Sequence, residues 1–283
     1  MQNKIALGTV QFGLDYGISN KVGKTSQAEV SKILEFCKEQ NILTLDTAYG
    51  YGVSQEVLGQ NDLSSFNLVT KFLPLGNGIP TIEKQVESSL ELLNVDKLYG
   101  LLAHRPLDIV ENPSYWKYLQ SLKERGEVEK IGFSFNTLDE LSNVIENHFI
   151  PDLVQIPYNF LDRRFEDAII ELKIKYDIEV HTRSTFLQGL FFMNMKELPA
   201  FFDPIKNIVE KIQTSDNAPI ENTLIKFVMS KSFIDKVVLG VNNLAQLKQN
   251  LNQLNVKDDT ILNIKLPEIP EKILLPSNWP KLS

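Results

Sequence analysis

Side chains that can transfer protons stand where three predicted strands end. Asp46 closes one apolar run, and Tyr51 follows it after a short stretch that contains a glycine. Lys71 closes the next run, and His104 follows the run after that. Because an unpaired charge is costly to bury, we expect Asp46 and Lys71 to form an ion pair.

This set of side chains predicts acid–base chemistry on a carbonyl oxygen. A lysine cation beside the hydroxyl of Tyr51 favours the phenolate, which makes the phenol a better proton donor at neutral pH. His104 could supply a second hydrogen bond that orients the oxygen. Taken one at a time, these residues also fit an ion pair on a rim, a packing tyrosine and a satisfied polar histidine. Their joint placement at three strand ends favours chemistry.

Eight short apolar runs alternate with helical patterns along the chain and must position these side chains. We predict strands at Lys4–Leu7, Ile42–Asp46, Leu68–Lys71, Leu98–Ala103, Lys130–Phe133, Leu153–Ile156, Ile178–His181 and Lys236–Leu239. Periodicity near 3.6 residues predicts helices at Gln27–Glu39, Ile82–Leu93, Tyr115–Glu124, Leu138–Glu146 and Arg164–Lys175. Strands that alternate with helices require right-handed crossovers and a parallel sheet.

Eight such units without a linker favour a closed (β/α)8 TIM barrel, an α/β fold, over an open doubly wound sheet. An open sheet that binds a dinucleotide would carry Gly-x-Gly-x-x-Gly after its first strand, and residues 8–13 lack that spacing. We expect one domain over 1–283, with the barrel at about 4–252 and a proline-containing tail at about 257–283 on its outside or mouth. The long gap from Arg183 to Lys236 is expected to cover the mouth, where this fold places its sites.

Composition narrows the class of protein. Of 283 residues, 43% are hydrophobic and 23% charged, which is ordinary for a globular domain. No apolar run is long enough for a membrane span, and the amino end shows no apolar signal core, so we expect a cytoplasmic protein without a membrane partner. The net charge of −7 argues against nucleic-acid binding. One cysteine, Cys37, and three histidines without ligand-like spacing predict a buried thiol and no metal site.

Several segments, in order along the chain, resemble the aldo-keto reductase family. Leu45–Gly59 is similar to the first signature of that family, and Ser88–Leu93 with Asp96 and Leu101–His104 is similar to the second. The ends of the fifth, sixth and eighth strands also resemble the family, at Ile131–Ser134, Val154–Asn159 and Leu239–Asn243. The match runs from about Leu7 to Asn250, which makes it more specific than any single motif.

The resemblance implies a catalytic tetrad of Asp46, Tyr51, Lys71 and His104, the same four residues that the strand ends indicate. It also implies NADP(H) or NAD(H) as the cofactor, bound without a Rossmann domain, and a small carbonyl or alcohol substrate. The remaining cofactor-binding positions lie at strand ends and in the loop after the last strand: Gly8, Thr9, Ser134, Asn136, Gln155, Arg183, Gly240, Asn242, Gln246 and Asn250.

The chain departs from the family pattern at three places. The family usually has Asn directly after the serine of strand five, whereas Phe135 intervenes here before Asn136. Arg183 stands where the family commonly has an aromatic that stacks on nicotinamide; it could stack there, bind a cofactor phosphate or an anionic substrate, or pair with a rim carboxylate. Gly240-Val241 and Gln246 replace the Lys-Ser and Arg that grip the 2′-phosphate in many NADPH-specific members, which leaves NADH or dual use open.

For the substrate, the sequence predicts binding residues and a class of compound. Tyr16, Trp116 and Asn159 are expected to bind it, among a mixture of aromatic and polar pocket candidates. Such a pocket suits a sugar or sugar-derived carbonyl, and equally an aromatic aldehyde. Two other functions stay open: a nicotinamide-binding regulatory or sensor protein with little turnover, and an aldolase that uses Lys71 as a Schiff base. The sequence does not indicate an oligomeric state.

Overall fold

Eight parallel strands close into a barrel in the computed structural model, which describes residues 4–73, 79–214, 219–252, 254 and 265–280. The strands follow one another around the barrel in chain order, and β8 pairs with β1. They are β1 (Ile5–Gly8), β2 (Thr44–Asp46), β3 (Asn67–Phe72), β4 (Leu98–Ala103), β5 (Val128–Ser134), β6 (Leu153–Pro157), β7 (Glu179–Arg183) and β8 (Lys236–Gly240). The predicted (β/α)8 barrel is confirmed, and each predicted strand lies within two residues of the observed one.

Helices surround the barrel. They are α1 (Val10–Gly13), α2 (Gln27–Glu39), α3 (Ser54–Gly59), α4 (Ile79–Leu93), α5 (Pro106–Glu111), α6 (Ser114–Glu124), α7 (Leu138–Glu146), α8 (Glu166–Tyr176), α9 (Asp203–Gln213), α10 (Ile220–Met229), α11 (Leu244–Leu251) and α12 (Glu271–Leu274). Helix α2 has its predicted bounds because Val30, Ile33, Leu34 and Cys37 form one buried stripe at helical spacing. Helix α7 also has its predicted bounds, and Thr137 with Glu140 forms a capping box at its start.

The predicted second, third and fifth helices differ from the observed α4, α6 and α8 only at their ends. Helix α8 begins at Glu166 rather than Arg164 because the Arg164 guanidinium is engaged with Asp162 and Glu271 in the preceding turn.

Cys37 is fully buried, as expected, and its burial raises the pKa of the thiol to about 12, which keeps it protonated and unreactive.

The register of the strands determines which side chains enter the barrel. Lys71 is paired with Leu102, and Leu153 with Glu179, while Asp46 is paired with Val69. Because paired residues of neighbouring parallel strands point to the same face, these side chains share the inside of the barrel. Val69, Leu102 and Leu153 form an apolar cluster there, separate from the larger core between strands and helices.

The segment between β7 and β8 covers the mouth, as predicted. It opens with a 3-10 turn at Leu187–Phe192 and continues through α9 and α10. Ser184, Leu187 and Gln188 have positive φ angles of 67°, 46° and 53°, a conformation that holds the loop in a sharp fold beside the strand end. Within this segment, residues 215–218 lie outside the described residues.

The tail packs against the outside of the barrel over 265–280. Ile273 and Leu274 are buried, and the Trp279 ring meets Phe202 edge to face at 5.2 Å between ring centroids. The predicted tail also includes 257–264 and 281–283, which lie outside the described residues. Throughout the described part of the chain, no helix combines the length and the apolar character needed to cross a bilayer.

Candidate active site

An ion pair at the ends of β2 and β3 forms the base of the site. Lys71 Nζ donates to Asp46 Oδ1 at 2.8 Å, to Asp46 Oδ2 at 2.7 Å and to the Thr47 carbonyl at 2.9 Å. These contacts surround an ammonium that is fully buried, and the Tyr51 hydroxyl is a further hydrogen-bond partner of it. Burial alone would lower the pKa of Lys71, but the charge of Asp46 and its hydrogen bonds outweigh burial and raise it. The expected pair is therefore present, and Lys71 is a fixed cation.

Gln155, from β6, joins this pair from the other side. Its Nε2 donates to Asp46 Oδ1 at 2.6 Å, and the side chain is fully buried. Its Oε1 is buried without a hydrogen-bond partner among the described residues. A buried amide oxygen that lacks a donor is costly, so this atom is ready to accept a hydrogen bond from a ligand.

Tyr51 is positioned by the loop that leaves β2. Its ring centroid lies 5.1 Å from Lys71 Nζ, and the His104 ring stands edge-on to it at 6.4 Å between centroids. The loop packs tightly against α1, since a Cβ on Gly13 would lie 1.8 Å from the Tyr51 carbonyl oxygen. Glycine is therefore required at position 13 for the loop to hold Tyr51 in this place.

His104 follows β4 and is half-buried. Burial, with the nearby cations Lys71 and Arg183, lowers the pKa of its imidazole to about 4. The ring is therefore neutral at pH 7 and carries a single N–H donor. Its Nδ1 is buried without a partner among the described residues. A neutral imidazole can donate one hydrogen bond to a carbonyl oxygen.

Two of the departures from the family pattern are in direct contact. Arg183 Nη2 donates to the Phe135 carbonyl at 3.0 Å and to Asn136 Oδ1 at 2.6 Å. The inserted Phe135 is fully buried and stacks on Phe133, which places Asn136 one residue further along. Asn136 therefore orients the guanidinium at the end of β7. The ion pairs of the described residues do not include Arg183, so the rim salt bridge considered from the sequence is not formed there.

These strand ends surround a cavity of about 340 Å³ at the mouth of the barrel. Most of the predicted site residues line it: Gly8, Thr9, Tyr16, Asp46, Tyr51, Gln155, Arg183, Gly240, Asn242, Gln246 and Asn250. Lys71, His104, Ser134 and Asn136 are not among the residues that line it. Ser134 is paired with Gln155 in the sheet, and Lys71 reaches the lining through Asp46.

Two predicted substrate-binding side chains lie outside the cavity. Trp116, on α6, stacks on Phe133 with 5.0 Å between ring centroids and is almost fully buried. Asn159 is buried in the turn after β6, where its Oδ1 accepts from the backbone N–H groups of Leu161 and Asp162 at 2.9 and 3.0 Å. Both side chains are already satisfied by packing or by the backbone. We therefore assign them to structure rather than to substrate binding.

Other lining residues were not identified from the sequence. Gln11, Gln188, Glu221 and Gln249 lie on the cavity wall, although no strand end marks them. Glu221 lies in the first turn of α10 and Gln249 near the end of α11. Gln249 Nε2 donates to Glu221 Oε1 at 2.6 Å. Polar residues on amphipathic helices are normally expected to face solvent, so the sequence alone does not distinguish Glu221 and Gln249 from surface residues.

The chain is similar to known proteins over most of its length. The sequence profile of the Aldo/keto reductase family matches residues 4–265. An oxidoreductase, sirO, from Leptosphaeria maculans is 26% identical over 208 residues, which is 69% of this chain and 63% of that protein. The aldo-keto reductase YhdN from Bacillus subtilis (strain 168) is 25% identical over 231 residues, 75% of this chain and 67% of that protein. The chain thus spans less than two thirds of the length of the first of these relatives.

Solved structures share the fold. The holo form of an aldo-keto reductase from Bacillus halodurans superposes with a TM-score of 0.69 at 18% identity, covering 97% of this chain and 91% of that one. A glycerol dehydrogenase from Gluconobacter oxydans superposes with a TM-score of 0.67 at 19% identity, covering 94% and 95%. At these identities the likeness concerns the barrel itself.

Proposed function

The chain belongs to the aldo/keto reductase family of oxidoreductases, and from this premise we propose that it interconverts an aldehyde or ketone and its alcohol with NADP(H) or NAD(H). One observation carries the proposal. Tyr51 lines the cavity with its ring 5.1 Å from the anchored Lys71 cation and 6.4 Å from the neutral His104 ring. This is the arrangement that protonation of a carbonyl oxygen requires.

Each of the four side chains has a distinct role in this proposal. Tyr51 donates its proton to the substrate oxygen during reduction and takes it back during oxidation. Lys71 stabilises the phenolate that remains, and Asp46 keeps Lys71 charged and in place. His104 donates its one N–H to the same oxygen and orients the carbonyl. The nicotinamide, when bound, supplies or accepts the hydride.

The residues of the cavity fit a nicotinamide dinucleotide. The unpartnered Oε1 of Gln155 can accept from a carboxamide N–H, and Ser134, its neighbour in the sheet, offers a hydroxyl beside it. Gly8 and Thr9 would contact the same end of the cofactor. Asn136 and Arg183 would act there together, since Asn136 holds the guanidinium of Arg183, which lines the cavity.

The loop after β8 fits the other half of the cofactor. Asn242 N–H donates to Gln246 Oε1 at 2.7 Å, which fixes the turn that begins α11. Gly240 lets the Gln11 side chain pack against the end of β8, because a Cβ there would lie 2.6 Å from that side chain. Asn250 lines the cavity one turn beyond Gln246. These residues would bind the cofactor without a Rossmann domain.

The substrate would enter over the aromatic side of the mouth. Tyr16, Phe186 and Phe192 line the cavity there and are partly exposed. An aromatic wall beside the polar tetrad suits a sugar-derived carbonyl as well as an aromatic aldehyde. A Schiff-base reaction at Lys71 is disfavoured, since Lys71 is fully buried and its ammonium is held by Asp46 and the Thr47 carbonyl.

Substitution of the proposed acid tests this function. Tyr51→Phe removes the hydroxyl and keeps the ring, so we expect turnover on an active aldehyde or ketone to fall by about 10²–10⁴-fold. Cofactor affinity, measured by fluorescence titration, should stay unchanged. Tyr118→Phe, on the outer helix α6, serves as the matched control with wild-type turnover.

The same measurements distinguish the proposed enzyme from a nicotinamide-binding regulatory or sensor protein. Near-normal turnover of Tyr51→Phe would exclude the acid role of this residue. Tight cofactor binding with no oxidation or reduction of any member of a broad carbonyl panel, keto-sugars included, would favour a sensor. Trapping of a carbonyl ligand by borohydride would instead indicate Schiff-base chemistry.

A further inference from the structure

The end of the cavity away from Tyr51 is built from the start of α10 and the loop that joins β8 to α11. Glu221, Asn242, Gln246, Gln249 and Asn250 line this end. A dinucleotide that reacts beside Tyr51 must extend along β8 past Gly240, so its adenosine half would lie here. The charges of this end therefore decide which dinucleotide it accepts.

Glu221 is the acidic group of this end. It lies in the first turn of α10 and is only 6% exposed. Gln249 Nε2 donates to Glu221 Oε1 at 2.6 Å, which ties α10 to α11 and fixes the carboxylate on the cavity wall. Asn222, the next residue, donates to the Gln249 and Asn250 carbonyls at 3.2 and 2.9 Å. The carboxylate is thus held by two helices rather than by a mobile loop.

Cations are scarce where this carboxylate lies. Among the described residues that line the cavity, Arg183 carries the only positive charge, and it is tied to Asn136 and Phe135 at the end of β7. Lys248, on α11, is turned towards α2, with its Nζ 5.2 Å from the Phe36 ring centroid. Gln246 contributes a neutral amide that is already bonded to the Asn242 N–H.

NADH and NADPH differ in one group, a phosphate on the 2′ position of the adenosine ribose. A phosphate dianion needs cationic or N–H donors and is repelled by a carboxylate, whereas a ribose hydroxyl can donate to one. We propose that Glu221 makes this protein selective for NADH over NADPH by accepting from the adenosine ribose and excluding the 2′-phosphate. The inference rests on the proposed function, since it assumes that the cavity binds a nicotinamide dinucleotide.

The experiment measures the dissociation constants of both dinucleotides by fluorescence titration at fixed ionic strength. We expect the wild-type chain to bind NADH at least about tenfold more tightly than NADPH, the ratio that one charge-assisted hydrogen bond supplies. Glu221→Gln keeps the size of the side chain and its contact with Gln249 and removes the charge. This substitution should reduce the ratio of the NADPH to the NADH dissociation constant about tenfold, mainly by strengthening NADPH binding.

The control is Glu171→Gln, which removes one charge from the exposed outer face of α8 and should leave the ratio unchanged. A thermal melt of each variant checks folding. Equal or tighter binding of NADPH by the wild-type chain, or a ratio that Glu221→Gln does not move, would overturn the role of Glu221 while the proposed function stands. If neither dinucleotide binds, the proposed function fails as well.

Discussion

The barrel contains two ionic networks, a buried one at its mouth and a partly buried one among the first residues of its strands. At the mouth, Lys71 and Asp46 are joined by Gln155. In the floor network, Glu179 Oε2 accepts from the Tyr99 hydroxyl at 2.5 Å and pairs with Lys130, and Glu179 Oε1 lies 2.6 Å from His181 Nε2. The apolar cluster of Val69, Leu102 and Leu153 also lies inside the barrel.

The two networks differ in whether their residues line the cavity and in whether a polar atom there is left to bind a ligand. Asp46, Tyr51 and Gln155 line the cavity, and Gln155 Oε1 is left to accept from a ligand. The floor residues lie outside the cavity lining, and both carboxylate oxygens of Glu179 already have partners within the protein. A buried ion pair therefore does not by itself indicate a site. A site is indicated when groups next to the ion pair face a cavity and still have a free hydrogen-bond donor or acceptor.

The largest effect that separates the networks should come from removing their lysines. We expect Lys71→Met to reduce turnover by about 10²–10⁴-fold, because Tyr51 loses the cation that stabilises its phenolate. The variant should also lose about 3–5 kcal/mol of unfolding free energy, since Asp46 is left buried without its cation. Lys130→Met is the matched control, and its turnover should equal that of the wild type. Similar losses of turnover in the two folded variants would contradict the distinction between the networks.

The sequence predicts the barrel well because its strands are parallel and covered on both faces. Such strands read as unbroken apolar runs, for example Leu98–Ala103, and their ends mark the mouth. The sequence singles out three residues of the proposed tetrad for the same reason, since Asp46, Lys71 and His104 are polar residues that end or follow these runs. Whether the chain forms a single domain over 1–283 stays a prediction.

The far end of the cavity could not be predicted in this way. Glu221 and Gln249 stand on helices and are 28 residues apart, and their contact depends on how α10 packs against α11. The bond between Asn136 and Arg183 spans 47 residues and arises from two strand ends at once. Trp116 is a pocket candidate from the sequence because of its aromatic type, but the direction of its side chain is set by packing against Phe133.

A smaller effect should follow from neutralising the floor carboxylate. Burial alone would raise the pKa of Glu179, but its bonds to His181, Lys130 and Tyr99 outweigh burial and hold the pKa well below its usual range. A depressed carboxyl pKa stabilises the folded chain above the unfolded value and loses that contribution as the pH falls. We expect Glu179→Gln to lower the unfolding free energy at pH 7 by about 1–3 kcal/mol. The difference from wild type should narrow below about pH 4.3.

Urea denaturation at several pH values measures this difference. Glu35→Gln, on the exposed side of α2, is the control for the loss of one charge and should leave the unfolding free energy nearly unchanged. Turnover of Glu179→Gln should stay at the wild-type level. Loss of turnover in a folded Glu179→Gln variant would show that the floor takes part in the reaction.

The smallest effect concerns the histidines of the two networks, which have opposite surroundings. His181 lies against the Glu179 carboxylate, whereas His104 is buried near the cations Lys71 and Arg183, which help to lower its pKa to about 4. Because the folded chain resists protonation of His104 and the unfolded chain does not, the unfolding free energy should fall as the pH drops from about 6.5 towards 4. Between pH 7 and 5.5, however, His104 should stay neutral and keep its role as a donor. An NMR titration of its ring nitrogens should therefore show an inflection near 4, and an inflection between 6 and 7 would mean that the cations of the mouth do not control this residue.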